Sequence, residues 1–286
     1  MYKINKIAID QTPFLQMMRG IAHMPKSLYL LGSLPVAHRP AVSVIGTRKP
    51  TTYGQEVGYR LSYELARQGV IIVSGLALGI DSIAHKAALD AGGTAIAIMP
   101  CGLDNIYPRS HQALAERIVK SGGALLSEYP PGAEIYKNNF IERNRIVAGI
   151  ADGVLVVEAA IKSGTVHTAS FALDYGRPVM AVPGNINNPM STGTNNLIKT
   201  GARLISASED ILDEIGVEIK KTQTQLPLTD TPEQGIIVKL LANGVRDGQE
   251  LQQQSGLSVS VFNQTLTMLE IIGIIRALGG NQWTIK

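Results

Sequence analysis

Cysteine is nearly missing from this chain, with Cys101 the sole example in 286 residues. That excludes an internal disulfide framework and fits a reducing compartment. Long apolar runs are missing too: none reaches the ~18 residues that would read as a membrane span. The opening MYKINKIAIDQTPFLQ lacks the apolar core of a signal peptide. The expectation is a cytoplasmic protein with no membrane partner. Charge is sparse, at 17% of residues against 45% hydrophobic, as in a well-packed globular protein. A net charge of +3 permits a nucleic-acid partner without demanding one. There is no metal-ligand cluster, no Ser/His/Asp spacing and no Walker A loop, so no metal, cofactor or catalytic residue is expected. No strong internal repeat is visible.

What is present is a series of short apolar runs at 41–45, 70–73, 94–99, 124–126, 153–157 and 178–182, with helical patterns between them. Strands without polar alternation are buried on both faces, and their alternation with helices predicts βαβ units and a parallel sheet, an α/β fold. Residues 1–40 read as a short lead-in in which LYLLGS, 28–33, is an edge strand. RLIS, near 203, is a candidate last strand. The helix opening near Gly54 carries Val57, Leu61 and Leu65 at four-residue steps, a core-facing stripe. The stretch 217–231 is polar, Gln/Thr-rich and contains Pro, and reads as a linker. After it, Thr231-Pro232-Glu233-Gln234 has the form of a capped helix start. Three helical segments and a hairpin around Gly279-Gly280-Asn281 then predict a winged helix. The division is therefore 1–216, a linker at 217–231, and 232–286. The last module balances Lys239, Arg246, Arg276 and Lys286 against Glu233, Asp247, Glu250 and Glu270, so a strong electrostatic grip on duplex DNA is not expected of it.

Three strand-end loops carry candidate phosphate donors. Gly46-Thr47-Arg48 lies between an apolar strand and a helix start, where unpaired backbone N–H groups and the helix dipole favour an anion. Arg48 adds a fixed fork of donors there. Ser74 to Asp81 is a second loop of this kind, in which Gly75 and Gly79 permit close approach of a ligand or a neighbouring loop and Asp81 caps or orients. Ser163-Gly164-Thr165 opens a third helix. One such loop suggests a mononucleotide; several side by side suggest a polyanion laid across the sheet's carboxyl edge. Lys137, Phe140, Arg143, Asn144 and Arg145 gather where another helix begins. Cations with an aromatic suit single-stranded nucleic acid, and a solvated helix start with Phe140 as an apolar anchor is an equal reading. His85 reads as a packed helix histidine and Cys101 as a buried thiol, while Glu128 either meets a ligand or fixes a loop.

In order over roughly 28–215, GTRxxTxYG at 46–54, SGLALGIDSIAHKAAL, CGLDNIYP, LLSEYPPG, FIERNRIVAG, EAAIKSGT and AVPGNINNPMSTGTNNLI resemble the DprA/Smf family of DNA-processing proteins. The resemblance implies an extended Rossmann-like sheet with helices on both faces and a small C-terminal winged helix. It implies a homodimer that binds and protects incoming single-stranded DNA and loads the recombinase RecA in natural transformation or recombination. By motif, Arg48 corresponds to a backbone-clamping arginine, Lys137 to a second phosphate contact, and Phe140, Arg143 and Asn144 to the segment lining the DNA pocket. The dimer patch expected from the resemblance lies between about Val179 and Ile211. About forty residues precede the first motif, so the helical N-terminal domain of longer members is not expected here. The rival reading is an enzyme, since the same scaffold resembles nucleotide phosphoribohydrolases. Those place a catalytic Glu three residues after a Gly-Thr, where this chain has Thr168 after Gly164-Thr165. A third reading, an interaction scaffold with a vestigial site, conflicts with the retained Arg48, Lys137 and Arg143.

Overall fold

The computed structural model describes residues 3–19, 21–161, 163–218 and 231–285. The chain forms two compact units, Met1–Ile219 and Lys220–Lys286. Of the linker expected over 217–231, residues 219–230 lie outside those described.

The first unit is a nine-stranded sheet in the order β1-β2-β6-β5-β4-β3-β7-β8-β9. Its strands are β1 Asn5–Ala8, β2 Ser27–Gly32, β3 Ala41–Ile45, β4 Ile71–Ser74, β5 Ala95–Met99, β6 Ala124–Ser127, β7 Gly153–Val156, β8 Val179–Ala181 and β9 Arg203–Leu204. From β6 through β9 every pairing is parallel. The intervening helices are α1 Thr52–Arg67, α2 Ile80–Asp90, α3 Gln112–Lys120, α4 Lys137–Gly149, α5 Thr165–Asp174, α6 Thr192–Lys199 and α7 Ser208–Glu214. The strands feed both faces alternately, as the period of two requires. Val42, Val44 and Ile72 enter one core with Leu61, Leu65, Ile80 and Ala84 of α1 and α2, whereas Ala41, Ile45, Ile71 and Val73 enter the other with Ile146, Val147 and Ala169 of α4 and α5. This is the expected doubly wound, mostly parallel α/β sheet.

Two expectations need correcting. The 28–33 run is not an edge. β2 pairs antiparallel with β6 on one side and with β1 on the other, leaving β1 at the margin. Nor are residues 1–40 merely a lead-in, because Phe14, Leu15, Met18 and Leu28 are fully buried in the α4–α5 core. Pro13–Met18 makes a tight 3₁₀ turn that turns these side chains inward. A run whose two neighbours are antiparallel looks, in sequence, the same as an exposed edge.

In the second unit, α8 Pro232–Ala242, α9 Gly248–Ser255 and α10 Val259–Ile271 pack with the hairpin β10 Ile275–Gly279 and β11 Gln282–Ile285. Thr231, Asp247 and Ser258 cap the three helices through side-chain oxygens. Ile237, Val238, Leu241, Leu251, Phe262, Leu266, Leu269 and Ile275 form its core. Gly280 and Asn281 both have positive φ, the backbone a tight hairpin requires. Among the described residues no helix is long and apolar enough to cross a membrane.

Candidate nucleic-acid interface

The strand order reverses at β3. β4, β5 and β6 lie on one side of it and β7, β8 and β9 on the other. In open α/β sheets such a switch point leaves a crevice beyond the carboxyl ends of the strands. A cleft of about 380 Å³ sits there, lined by Gly46 and Arg48 after β3, Gly75 and Asp81 after β4, Phe140, Arg143 and Asn144 of α4, and Ser163, Gly164 and Thr165 opening α5. Residues from four separate stretches of sequence thus meet in one place.

Two of the three loops expected to hold phosphate hold a carboxylate of the protein instead. Glu158 follows β7 and is buried, and its carboxylate accepts from the Thr51 N–H at 2.8 Å and from the Thr51 hydroxyl at 2.7 Å. The Glu158 carbonyl also accepts from the Thr47 N–H at 2.7 Å. Glu158 therefore occupies the positive end of α1, and Gly54 leaves room for it, since a Cβ there would strike the carboxylate. Asp81 plays the same part in the next loop, accepting from the Gly75 N–H at 3.0 Å and the Ala77 N–H at 3.4 Å. Burial pushes the Asp81 carboxyl above its ordinary range, while the Arg143 charge opposes that shift. The α5 end is different. Among the described residues the Thr165 N–H meets only the neutral Ser163 hydroxyl, at 3.2 Å, and Gly164 is exposed with open space where a side chain would go. Of the three ends, this one faces the cleft without a carboxylate of its own.

The loops lock one another. A Cβ on Gly46 would come within 2.6 Å of Ile80 Cγ1, so α2 packs on the first turn only because residue 46 is glycine. Gly79, at φ 80°, lies against the Thr47 carbonyl in the same way. Between them Leu76, fully buried, adopts φ 55°, an unfavourable conformation for a branched residue, and its carbonyl meets His111 Nδ1 at 2.8 Å. The turn at the cleft floor is thus held from three directions.

Cations and rings complete the site. Arg48 is exposed, and its guanidinium lies 5.6 Å from the centre of the Phe140 ring. Tyr107 meets Phe140 edge-on, with centroids 5.4 Å apart and planes at 72°. Arg143 is only 5% exposed. Its Nη1 donates to the carbonyls of Gly75 and Ile98, and Asn144 Oδ1 accepts from its Nε at 3.3 Å. Burial draws its pKa down to about 10, with Asp81 opposing, so it stays charged at neutral pH. A positive charge thus stands under the floor of the cleft and another at its mouth.

Not every expected residue lines the cleft. Ser74 turns its hydroxyl inward to the Val44 carbonyl at 2.6 Å. Thr47 and Gly79 shape the loops from behind, and Lys137 is exposed at the start of α4 without bordering the cleft. Arg143 lines it but is spent on two carbonyls rather than facing solvent. Arg145 leaves the group altogether. Positions two apart on a helix face different ways, and Arg145 pairs instead with Glu128 at 2.6 Å and Glu142 at 3.4 Å. Glu128 accordingly anchors α4. His85 is fully buried, with no partner for either ring nitrogen among the described residues, and its pKa is drawn down to about 3 by burial, then by His111 and Arg143. Cys101 donates to the Asn105 carbonyl at 3.0 Å, and burial pushes its thiol up to about 11. Sequence reasoning assigned no role to Glu158 or Tyr107. The signal for Glu158 was present, since an acid directly after an apolar strand seldom lacks a partner. At the place where a phosphoribohydrolase would need its Glu, Thr168 lines the cleft wall.

The sheet order defines a doubly wound α/β protein of the Rossmann-like class, with a cleft at its switch point, joined to a winged helix. Within that class, the family model for DNA recombination-mediator protein A matches residues 5–216, and the DprA winged helix domain matches 221–281. The chain belongs to the DNA recombination-mediator protein A family, the DprA/Smf proteins. It is 39% identical to Protein Smf of Escherichia coli over 264 residues, 90% of this chain and 71% of that protein. It is 39% identical to the DNA processing protein DprA of Bacillus subtilis over 213 residues, 74% and 71% of the two. Among solved structures it resembles DprA of Streptococcus pneumoniae, with TM-score 0.70 and 37% identity over 76% of this chain and 75% of that one. It also resembles DprA of Helicobacter pylori, described for its single-stranded DNA binding mode, with TM-score 0.64 and 33% identity over 74% and 94%.

Proposed function

We propose that this protein binds single-stranded DNA across the carboxyl edge of its sheet, as a recombination mediator and not as an enzyme. The observation that carries the reading is the pairing of Arg48 with the half-buried face of Phe140 beside the open α5 end. A phosphate is clamped by Arg48 and received at Ser163-Gly164-Thr165, while an unpaired base stacks near Phe140 and Tyr107. Arg143 supplies fixed positive charge from below, and Lys137 meets the backbone at the start of α4. Such a site follows backbone and ring faces, so binding is salt-dependent and tolerant of sequence. Duplex is disfavoured because its bases are already stacked. The Helicobacter pylori relative's described binding of single-stranded DNA supports the same reading.

The cellular role that follows is protection of incoming single strands and loading of RecA onto them in the cytoplasm, in natural transformation or recombination. Two copies related by a twofold place two such edges on one strand and raise the local concentration of sites. The region from Val179 to Ile211 is the proposed patch.

The test uses fluorescent oligo-dT in an anisotropy titration. Arg48→Ala weakens binding about tenfold, the loss of one charge-assisted contact of roughly 1.5–3 kcal/mol. Unchanged affinity at matched salt, in a folded variant, removes Arg48 from the site. Parallel incubation with AMP shows no hydrolysis if the enzyme reading is wrong. Light scattering and a RecA strand-assembly assay test the dimer and the partner separately.

A further inference from the structure

On the α1 side of the cleft lies a second, open recess of about 600 Å³, bounded by Tyr53, Pro183, Gly184, Asn185, Asn188 and Ser191. The segment after β8 that forms it is braced. Asn195 of α6 donates to the Gly184 carbonyl at 3.0 Å and accepts from the Gly184 N–H at 3.1 Å. Tyr53, the second residue of α1, donates to the Pro183 carbonyl at 2.8 Å while 44% of the residue stays exposed. The hydroxyl is thereby fixed and the ring is left standing beside the recess. Ile186 is 88% exposed on the same loop.

The two asparagines are oriented by what they accept. Asn185 Oδ1 accepts from the Asn187 N–H at 2.9 Å, and Asn188 Oδ1 accepts from the Met190 N–H at 3.0 Å. A backbone N–H can only donate, so the bonded atom in each case is the oxygen. Each side-chain NH₂ is left over, and neither has a partner among the described residues. A held ring with two spare amide donors is a set suited to a nucleobase: a face to stack on, and donors for its carbonyl oxygens. An apolar peptide would leave those amides unpaired, and none of the residues bounding the recess is a cation to hold a phosphate.

The recess also lies next to the first site. Thr47, adjacent to Arg48, reaches Met190 Sδ at 3.9 Å, and Tyr53 lies five residues beyond Arg48 on the helix the turn opens into. We infer that the recess is a second base subsite, in which a nucleotide beyond the one clamped by Arg48 stacks against Tyr53 and is hydrogen-bonded by the amides of Asn185 and Asn188. The inference rests on the single-strand reading above and extends it to a direction of travel, from the Arg48–Phe140 cleft over the start of α1 toward the 183–191 loop.

The test compares two labelled oligo-dT probes, one of about four and one of about sixteen nucleotides, on the full chain. Tyr53→Ala weakens the long probe about tenfold, within the range for a lost base–aromatic stack, and leaves the short probe within about twofold. Tyr53→Phe keeps most of the affinity because the ring remains. Asn188→Asp, which retains the oxygen that caps Met190 but exchanges the NH₂ donor for a negatively charged oxygen, weakens the long probe by about fivefold or more, and Asn188→Ser, which removes the NH₂ without adding charge, weakens it about fivefold as well. Loss of affinity for both probes alike in Tyr53→Ala means damage carried to the first cleft and overturns the inference. Unchanged binding of the long probe in Tyr53→Ala and Asn188→Asp overturns it too. The 183–191 loop falls within the 179–211 span offered above as the dimer patch, and the two readings compete for it: a shift of Tyr53→Ala from dimer to monomer in light scattering assigns the loop to a contact between copies and overturns the inference. Arg48→Ala separates this from failure of the underlying reading. If Arg48→Ala leaves both probes unaffected, the first cleft fails, whatever the Tyr53 variants do.

Discussion

Replacing Glu158 with alanine should cost this fold more than most surface or loop changes, and the structure says how much. The carboxylate accepts two short hydrogen bonds from Thr51, at 2.8 and 2.7 Å, and is 1% exposed. A hydrogen bond to a charged group contributes about 1.5–3 kcal/mol. The favourable position of a negative charge at a helix N-terminus adds about 0.3–1 kcal/mol. The alanine variant loses both bonds and leaves Thr51 N–H unpaired, for a total of about 3–7 kcal/mol. At about 2–4 °C per kcal/mol, the lower figure lowers Tm by about 6–12 °C. Glutamine is the control. Its oxygen still accepts from Thr51 N–H and its NH₂ donates to the threonine hydroxyl, so it loses mainly the charge, about 1–2 kcal/mol. The emptied α1 end should also gain an affinity for inorganic phosphate. At phosphate tenfold above its Kd, the alanine variant is stabilised by about 1.4 kcal/mol while the parent is not. Urea unfolding with and without phosphate reads all three quantities. If alanine and glutamine cost the same, and both less than about 1 kcal/mol, the carboxylate does not hold the helix end.

The remaining predictions are shorter. His85 is neutral in the folded chain, with its pKa near 3, and takes up a proton on unfolding below pH 6.5. The unfolded state therefore binds the extra proton, so stability is complete above 6.5 and declines as the pH falls toward 3. His85→Leu removes that proton from the balance and flattens the acid limb by about 1.4 kcal/mol per pH unit, an effect that urea titrations at several pH values would reveal or exclude. Gly75→Ala sets a methyl against the Arg143 guanidinium. It destabilises by about 1–3 kcal/mol through overpacking and weakens oligo-dT binding along with it; a neutral result would mean Arg143 has room to move. A chain ending near Leu226 keeps the whole cleft, so its oligo-dT affinity stays within about tenfold of the full chain, or 1.4 kcal/mol, by anisotropy.

Most of the architecture was legible because buried parallel strands announce themselves as short unbroken apolar runs, and β3 through β8 each fall on one. The winged helix was legible from its caps and its Gly-Gly-Asn hairpin. Position in the sheet was less so: β2 reads as an edge because nothing local reveals that β1 pairs outside it. Arg48 and Phe140 stand out in the sequence by residue type and position, and the fold brings them together. What each loop read singly does not convey is competition. Gly46-Thr47-Arg48 and Ser74 to Asp81 look like open anion loops until Glu158 and Asp81, contributed by the neighbouring stretch and by the loop itself, are seen to satisfy their amides. Arg143 and Arg145 looked like one cluster until helix geometry sent one to the Gly75 carbonyl and the other to Glu128. Local pattern identifies donors; only the tertiary fold shows which already have acceptors.

The margins of the sheet carry a consequence of their own. An unpaired strand edge is a template for another chain, and long flat edges invite fibrous association. Here one margin is β1, four residues long, with Lys6 turned over the Tyr29 ring at 5.8 Å. The other is β9, two residues long, where Arg203 lies 3.8 Å from Asp213 and 3.9 Å from Glu214. Both margins are short and carry charged side chains, features that disfavour the addition of a neighbouring strand. Such margins favour association by side-chain contact on a face, which closes after a single partner, over strand addition, which need never stop.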